Sequence, residues 1–213
     1  MQSINITHED EADPVVYIVD DVEQVQDVVG LILEKEGIKS LAFNSGEDFL
    51  AQDGISEVGC LLLDNKMPGM KGLQVQAELL ARDNSIPIVF ISGDSRYNEV
   101  ADAVRDGAFY FLQKPFARSE LLDLVREAIN ISKARSRRKQ QLRHYKALLE
   151  ELTIREHEVY QLVTEGLTNK AIADSLKISN GTVEFHRANM MKKLHAKSLA
   201  DLMEISRNTA EKG

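Results

Sequence analysis

The chain has 213 residues, of which 43% are hydrophobic and 28% are charged, and its formal net charge is -8. This composition excludes disordered and fibrous proteins, and no apolar run is long enough for a membrane-spanning helix. A single cysteine, Cys60, excludes an internal disulfide framework. The first residues lack the pattern of a signal peptide, so we expect a soluble, cytoplasmic protein.

Charge is unevenly distributed along the chain. Residues 1–130 carry 24 acidic and 10 basic side chains, a charge of -14, whereas residues 131–213 carry 10 acidic and 16 basic side chains, a charge of +6. All four prolines lie at or before Pro115, which leaves the rest of the chain free to be helical. We therefore expect an acidic module followed by a helical module that meets a polyanion.

Apolar runs alternate with amphipathic stretches in the first module. Residues 1–13 are polar and are predicted to form a disordered extension. Ser45 is predicted to cap one of the helices, and a helix over 94–106 is predicted to stop at Gly107. The predicted strands are 15–19, 41–43, 60–63, 86–91 and 108–112. Five strands alternating with helices predict a doubly wound parallel sheet.

Polar side chains follow four of these strands. They are Asp20 and Asp21, Asp64, Ser92 and Lys114. Because the carboxyl ends of parallel strands share one edge of the sheet, these side chains should meet where open α/β folds bind ligands. Carboxylate oxygens suit Mg²⁺, whereas a hydroxyl and an ammonium group suit phosphate oxygens. Each residue alone has a plainer interpretation as a cap, a turn residue or a solvated lysine, but their shared position favours one site.

This set resembles the receiver domain of two-component response regulators. The residues that carry the resemblance are Asp20-Asp21, Asp64, Ser92 and Lys114-Pro115, and the stretch 64–70, DNKMPGM, resembles the FixJ/NarL type. The resemblance spans about residues 14–130. It implies that a histidine kinase transfers a phosphoryl group to Asp64.

The resemblance also implies a cofactor. Mg²⁺ would be held by Asp21, Asp64 and the backbone carbonyl of Lys66, with Asp20 acting partly through water. An aspartyl phosphate needs neutralisation of charge more than proton transfer, and a cation supplies it.

The same resemblance implies a switch. Ser92 would donate a hydrogen bond to the phosphoryl group, and Lys114 would pair with it. Phe111 matches the position of the aromatic switch residue, and its alternative is a plain core residue of the last strand. We expect phosphorylation to change the surface formed by the 94–106 helix and the last strand, and we expect binding partners to recognise that surface.

A helical connector is predicted next. No glycine or proline occurs between Pro115 and Gly166, and residues 133–146 include seven basic side chains. The basic run suits a solvated helix face. Alternatively, the apolar Leu142, Tyr145 and Leu148 form a dimer seam with the basic face near the DNA backbone. Residues 131–150 are therefore assigned as a helical linker and a candidate coiled coil, with both interpretations open.

Residues 151–213 contain a succession of helix signals. The predicted N-caps are Thr153, Thr168, Ser179 and Ser198. A short helix, a tight turn and a longer helix follow one another between Thr168 and Leu194, which is the helix-turn-helix pattern. Helix-turn-helix arrangements also occur purely as packing units, with no role in binding DNA.

The longer helix has two chemically different faces. The inward face is predicted to hold Val183, His186, Met190 and Leu194. The opposite face can reach base edges and thymine methyl groups, and basic side chains nearby suit phosphates. The candidate DNA contacts are Lys170, Thr182, Glu184, Phe185, Arg187, Ala188, Asn189, Lys192 and Lys193.

About residues 150–208 resemble the LuxR/FixJ-type DNA-binding domain. The motifs that carry this resemblance include Leu152-Thr153, Arg155-Glu156, the stretch 165–170 (EGLTNK), Thr182-Val183, His186-Arg187 and Lys193-Leu194. One departure is Asn180-Gly181, where the family usually has proline and a basic or polar residue. Gly181 offers no side chain to DNA.

These features predict a transcriptional response regulator with two domains and no enzymatic activity beyond its own phosphoryl uptake and loss. The fold would be a flavodoxin-like α/β receiver over 14–130, joined by a long helix to an all-α, four-helix helix-turn-helix domain over 151–213. Expected partners are a histidine kinase, double-stranded DNA with a two-fold operator, and a second copy of the chain after phosphorylation. RNA polymerase is a further candidate. The alternative is a phosphoryl-transfer relay or phosphate sink that dimerises without regulating a promoter.

Overall fold

The computed structural model describes residues 13–93 and 110–210. The chain divides into two compact units, Met1–Ser136 and Arg137–Gly213, which are described separately. The division falls inside the segment 131–150 that the sequence assigns as a linker. The remaining domain limits stay predictions.

The first unit contains a parallel sheet in the order β2-β1-β3-β4-β5. This order is that of flavodoxin-like folds and confirms the predicted doubly wound sheet. The strands are β1 (Val15–Val19), β2 (Lys39–Phe43), β3 (Gly59–Asp64), β4 (Ile88–Ser92) and β5 (Tyr110–Gln113).

Strand limits differ from the prediction by one or two residues. β3 includes Asp64 as its last residue, and β4 begins at Ile88 rather than at residue 86. Pro87 has no N–H to donate to a ladder, although its carbonyl accepts a hydrogen bond of 2.9 Å from the Leu61 N–H. Residues 108 and 109 and the helix predicted over 94–106 lie outside the described residues.

Helices cover both faces of the sheet. Among the described residues, the helices of the first unit are α1 (Glu23–Glu34), α2 (Gly46–Ala51), α3 (Gly72–Ala81) and the first part of α4 (Arg118–Glu150). One face packs against α1 and α4, and the other packs against α2 and α3. Apolar side chains fill both layers, and their burial is the main force that stabilises this unit.

The amphipathic stretch of α1 is only partly buried. Val29 and Leu33 are fully buried against the sheet. Val28 and Leu31, which the spacing also assigned to the helix, are 56% and 55% exposed. The helix ends where predicted, because Gly37 adopts a positive φ of 69° in the following turn.

The second unit is entirely helical in its described residues. It contains the last part of α4, then α5 (Ile154–Thr164), α6 (Asn169–Leu176), α7 (Asn180–Lys193) and α8 (Leu199–Ala210). Val159, Ile172 and Val183 are among its core residues. Tyr145 and Leu148 of α4 are buried in the same core, so a single chain already covers these two side chains.

The predicted caps of the second unit are present. Thr153 forms a capping box with Glu156, and Thr168 and Ser179 accept hydrogen bonds from the N–H groups three residues later. Ser198 and Asp201 exchange side-chain to backbone hydrogen bonds before α8. These caps satisfy N–H groups that a helix leaves without an internal acceptor. Within the described residues, each helix is too short or too polar to span a membrane.

Candidate functional site: an acidic pocket and a helix surface

Strand register places two carboxylates side by side at one edge of the sheet. Val19 of β1 is paired with Leu63 of β3, so the next residues, Asp20 and Asp64, are level with each other. Both side chains are buried, with whole-residue exposures of 2% and 7%. Neighbouring buried carboxylates repel each other unless a cation neutralises them.

Lys114 supplies the positive charge between these carboxylates. Its Nζ donates to Asp20 Oδ2 at 2.6 Å and to Asp64 Oδ1 at 3.0 Å. The Lys114 backbone N–H donates to the Ser92 carbonyl at 2.8 Å, which holds the ends of β4 and β5 together. The structure therefore brings Asp20, Asp64, Ser92 and Lys114 to one edge of the sheet.

Backbone N–H groups hold the remaining oxygens of both carboxylates. The Val22 N–H donates to Asp20 Oδ1 at 2.9 Å, and the Lys66 N–H donates to Asp64 Oδ2 at 2.6 Å. The second contact orients the loop after β3, so that Lys66 lies directly beside Asp64. Each carboxylate is thus held through both of its oxygens.

The environment makes Asp64 harder to ionise than an ordinary aspartate. Burial raises the pKa of Asp64, and the charge of Asp20 adds to this, while Lys114 and the Lys66 N–H act in the opposite direction. Burial alone would lower the pKa of Lys114, but its hydrogen bonds to Asp20 and Asp64 raise it. The charged form of Lys114 is therefore favoured, whereas the charged form of Asp64 is less favourable in the pocket than in water.

The donor set fits a hard cation. Among the described residues, no three His, Cys, Asp or Glu side chains converge into a metal site of their own. Mg²⁺ commonly uses only one or two carboxylates and keeps several waters. Asp20 and Asp64 provide buried carboxylates, while Asp21 is exposed beside them and the Lys66 carbonyl belongs to the adjoining loop.

A close helix approach shapes the pocket from the α3 side. A Cβ on Gly72 would lie 2.7 Å from the Asp64 carbonyl oxygen and 2.9 Å from the Phe90 ring. Glycine therefore allows α3 to begin directly against the end of β3. Phe111 is half-buried and packs against the core on the α2 and α3 side of the sheet, which agrees with either interpretation of this residue.

Two residues near the pocket were missed in the sequence. Gln26 is buried on α1, and its amide donates to the Asp20 carbonyl. The signal was available, because Gln26 lies one turn before the buried Val29 on the same helix face. Glu47 of α2 accepts a hydrogen bond of 2.8 Å from the Met70 N–H, which fastens the loop after Asp64. No local pattern distinguishes Glu47 from a surface glutamate.

In the second unit, α7 has the two faces that its sequence predicts. Val183, Met190 and Leu194 are fully buried, and His186 is half-buried. The outward face bears exposed Glu184, Ala188 and Lys192, exposed Phe185 and partly exposed Thr182 and Asn189. Phe185 is 63% exposed, an unusual position for a phenylalanine, and among the aromatic rings of the described residues its ring contacts only the edge-on ring of His186, at a centroid distance of 5.7 Å.

Two of the side chains that are predicted to contact DNA phosphates form hydrogen bonds within this unit. Arg187 Nη1 donates to Asn169 Oδ1 at 2.8 Å. Lys193 Nζ donates to Glu156 Oε2 at 2.7 Å and to the Glu151 carbonyl at 3.1 Å. DNA phosphates would have to compete with these bonds, whereas Lys170 and Lys192 are exposed.

The ion pair with Lys193 stabilises a buried carboxylate. Glu156 is 4% exposed. Burial alone would raise its pKa, but hydrogen bonds from Lys193 and Thr153 lower it below the ordinary glutamate value. Lys193 therefore has a structural role that its position in the sequence does not reveal.

Comparisons with known proteins agree with this geometry. Residues 16–126 match the family model described as response regulator receiver domain, and residues 150–206 match the model described as bacterial regulatory proteins, luxR family. The chain is 36% identical to the response regulator protein TmoT of Ectopseudomonas mendocina, over 93% of this chain and 90% of TmoT.

Two further proteins extend the comparison. The C4-dicarboxylate transport transcriptional regulatory protein DctR of Rhodobacter capsulatus is 35% identical over 90% of this chain and 98% of DctR. The solved structure of the response regulator StyR is 36% identical, with a TM-score of 0.82 and coverage of 92% of this chain and 99% of StyR. The similarity thus extends through both units.

We predict that Asp64→Asn stabilises the metal-free protein at pH 7. The raised pKa of Asp64 means that the folded state disfavours its charged form, so wild-type stability falls as the pH rises through that pKa. The amide should raise the melting temperature by about 2–4 °C, the shift for roughly 1 kcal/mol in proteins of this size. The gain should shrink as the pH is lowered towards 4.

Thermal denaturation followed by circular dichroism measures this effect. Asp27→Asn, on the exposed side of α1, is the matched control and should leave the melting temperature unchanged. A lower melting temperature for Asp64→Asn at pH 7 would show that the contact with Lys114 outweighs the cost of burial.

We predict that Lys193→Met destabilises the protein and Lys192→Met does not. Removal of Lys193 leaves the buried Glu156 without its counter-ion. The cost should be about 1–2 kcal/mol, below that of fully buried pairs, because the Lys193 side chain is 34% exposed. Because the pKa of folded Glu156 is lowered, the difference from wild type should shrink as the pH falls through that pKa.

Urea denaturation of the full chain, followed by the helical circular dichroism signal, measures both variants. Lys192 is the exposed neighbour on the same helix and serves as the matched control. Equal stability of the two variants would refute a structural role for Lys193.

Proposed function

Because the chain belongs to the FixJ/NarL-type two-component response regulators and regulates transcription through a LuxR-type DNA-binding domain, we propose that phosphorylation of Asp64 controls this activity. The observation that carries the proposal is the convergence of Lys114 on Asp20 and Asp64 at one edge of the receiver sheet. No contact in the described residues favours the alternative of a relay without a promoter.

The phosphoryl donor would be a histidine kinase. An oxygen of Asp64 attacks phosphorus, the bond between phosphorus and the kinase histidine breaks, and the electron pair of that bond returns to the imidazole. Lys114 neutralises negative charge on the phosphoryl oxygens, and the Ser92 hydroxyl donates a hydrogen bond to them. Two facts support these roles: Lys114 already contacts Asp64, and its backbone is bonded to Ser92.

Receiver domains generally use Mg²⁺ for phosphorylation. We assign Asp21, Asp64 and the Lys66 carbonyl as its ligands here, with Asp20 acting partly through water. The cation supplies charge neutralisation to the phosphoryl oxygens. The chemistry of these residues supports the assignment, since all offer oxygen donors and lie at or next to the buried carboxylates of Asp20 and Asp64. Lys114 would be the group that contacts the phosphoryl oxygens.

The consequence of phosphorylation would be a change in how two protomers associate. Phosphorylation replaces the single negative charge of the Asp64 carboxylate with the roughly two charges of an acyl phosphate, in a pocket in which Lys114 and Ser92 are already close to Asp64. Phe111, three residues before Lys114, would report this change to the surface of β5. We propose a phosphorylation-dependent homodimer, because a two-fold protein matches a two-fold operator.

The helix α7 would enter the major groove. Glu184, Ala188 and Asn189 lie with Phe185 on its exposed face, and side chains of these kinds read base edges and thymine methyl groups. Lys170 and Lys192 would contact phosphates. Thr182, Arg187 and Lys193 are weaker candidates, since each is engaged in a hydrogen bond within the unit. RNA polymerase is a candidate partner once the protein is bound at a promoter.

We predict that Asp64→Asn abolishes labelling of the full chain by radioactive acetyl phosphate in the presence of Mg²⁺. The amide cannot act as the nucleophile, and the neighbouring carboxylate of Asp20 is held by Lys114 and by the Val22 N–H. Asp48→Asn, at an exposed position of α2, should label at the wild-type rate and serves as the control. Retained labelling of Asp64→Asn would place the acceptor elsewhere.

We predict that Lys192→Ala weakens binding to every DNA sequence and reduces the slope of log affinity against log salt by about 1. The reason is the loss of one phosphate contact. Phe185→Ala provides the contrast, because loss of a base contact should reduce affinity for the operator more than for random DNA. Gel-shift titrations at several salt concentrations, on genomic fragments selected by binding, measure both.

A loss at Lys192→Ala that is confined to one operator sequence would contradict its assignment to a phosphate. Equal affinity of the wild-type chain for selected and random fragments would instead favour the phosphoryl-transfer relay.

A further inference from the structure

Gln26 is a buried polar side chain behind the acidic pocket. It lies on α1 with an exposure of 8%. Its Nε2 donates to the Asp20 carbonyl at 2.5 Å and to Asn44 Oδ1 at 2.8 Å, and it is 3.2 Å from the Phe43 carbonyl. None of the roles assigned above uses this residue.

The contacts of Gln26 lie where two strands end. β1 ends at Val19 and β2 ends at Phe43, and the last backbone bond between them runs from the Asp20 N–H to the Phe43 carbonyl at 3.3 Å. The Gln26 amide donates to the Asp20 carbonyl just beyond β1, and its Nε2 also lies 3.2 Å from the Phe43 carbonyl at the end of β2. It thereby continues the hydrogen bonding of the sheet beyond its last ladder bond.

As a result, every polar group of Asp20 forms a hydrogen bond. Its N–H is bonded to Phe43 and its carbonyl to Gln26. Its carboxylate accepts from the Val22 N–H and from Lys114. The Asp20 carbonyl and the Asp20 side chain are attached to the same Cα. Movement of the carbonyl would therefore move the carboxylate relative to Asp64.

We propose that Gln26 is a positioning residue for the cation and phosphoryl site, acting through the backbone of Asp20. The inference rests on the proposed function, in which Asp20 faces the cation. Groups that orient the ligands of a metal site typically account for 10–100-fold in metal affinity. Loss of the Gln26 amide should therefore weaken the cation site although Gln26 touches neither cation nor phosphoryl group.

The test compares Gln26→Leu with Gln24→Leu in the full chain. Gln24 is exposed on the same helix two residues earlier, so it receives the same substitution without the contacts. Calorimetric titration with MgCl₂, in the absence of any phosphoryl donor, should show affinity about tenfold weaker for Gln26→Leu. Gln24→Leu should stay within about twofold of wild type.

A kinetic measurement separates positioning from loss of folded protein. Labelling by acetyl phosphate is followed as the Mg²⁺ concentration is raised. For Gln26→Leu the half-saturating Mg²⁺ concentration should rise by about tenfold while the rate at saturation stays near that of wild type. A merely structural defect would lower the saturated rate with the folded fraction and leave the half-saturating concentration unchanged, which would overturn the proposal.

Gln26→Glu keeps the shape of the side chain and tests the proposal if the leucine variant does not fold. Its carboxylate cannot donate to the carbonyl groups, so Mg²⁺ affinity should fall despite the added negative charge. A gain in affinity would show that only charge matters and would overturn the proposal. A wild-type chain that binds no Mg²⁺ would overturn the proposed function as well, whereas tight binding unaffected by either Gln26 variant would overturn this inference alone.

Discussion

The pairing of Lys114 with two buried carboxylates is the interaction on which the receiver site depends. The parallel sheet brings Asp20 and Asp64 level, and burial makes their negative charge costly. Lys114 contacts both at 2.6 and 3.0 Å, yet burial still keeps the pKa of Asp64 above its ordinary value. In the proposed phosphorylation, Mg²⁺ and the phosphoryl group would supply new partners to the same charged groups.

A charged pair also stabilises the DNA-binding unit, but here the pairing favours the charged form of the carboxylate. Glu156 and Lys193 join the start of α5 to the end of α7, and the low pKa of Glu156 shows that the pair stabilises its charged form. This contact fixes the helix that carries the outward-facing side chains. The exposed Lys192, next to Lys193, remains available to DNA. The two adjacent lysines thus differ in their contacts: Lys193 is bonded within the unit, whereas Lys192 is exposed.

Local patterns predicted most of the fold. Apolar runs ending in Asp20, Asp64 and Ser92 predicted both the sheet and the edge at which its polar groups meet, because strand direction determines which ends coincide. What could not be predicted depends on tertiary contacts. The helical spacing could have shown that Gln26 faces the core, but not that its amide reaches Asn44, which is 18 residues away in the chain. The partner of Lys193 is likewise 37 residues away.

The central claim is that a phosphoryl group on Asp64 alters DNA binding by the second unit. The most direct measurement is the operator affinity of the full chain at fixed salt, with and without acetyl phosphate and Mg²⁺, together with its assembly state under the same conditions. The account predicts tighter operator binding and a shift towards dimer in the phosphorylated wild type, with neither change when Asp64 is asparagine. Identical affinity and assembly state in both forms of the wild-type protein would contradict it.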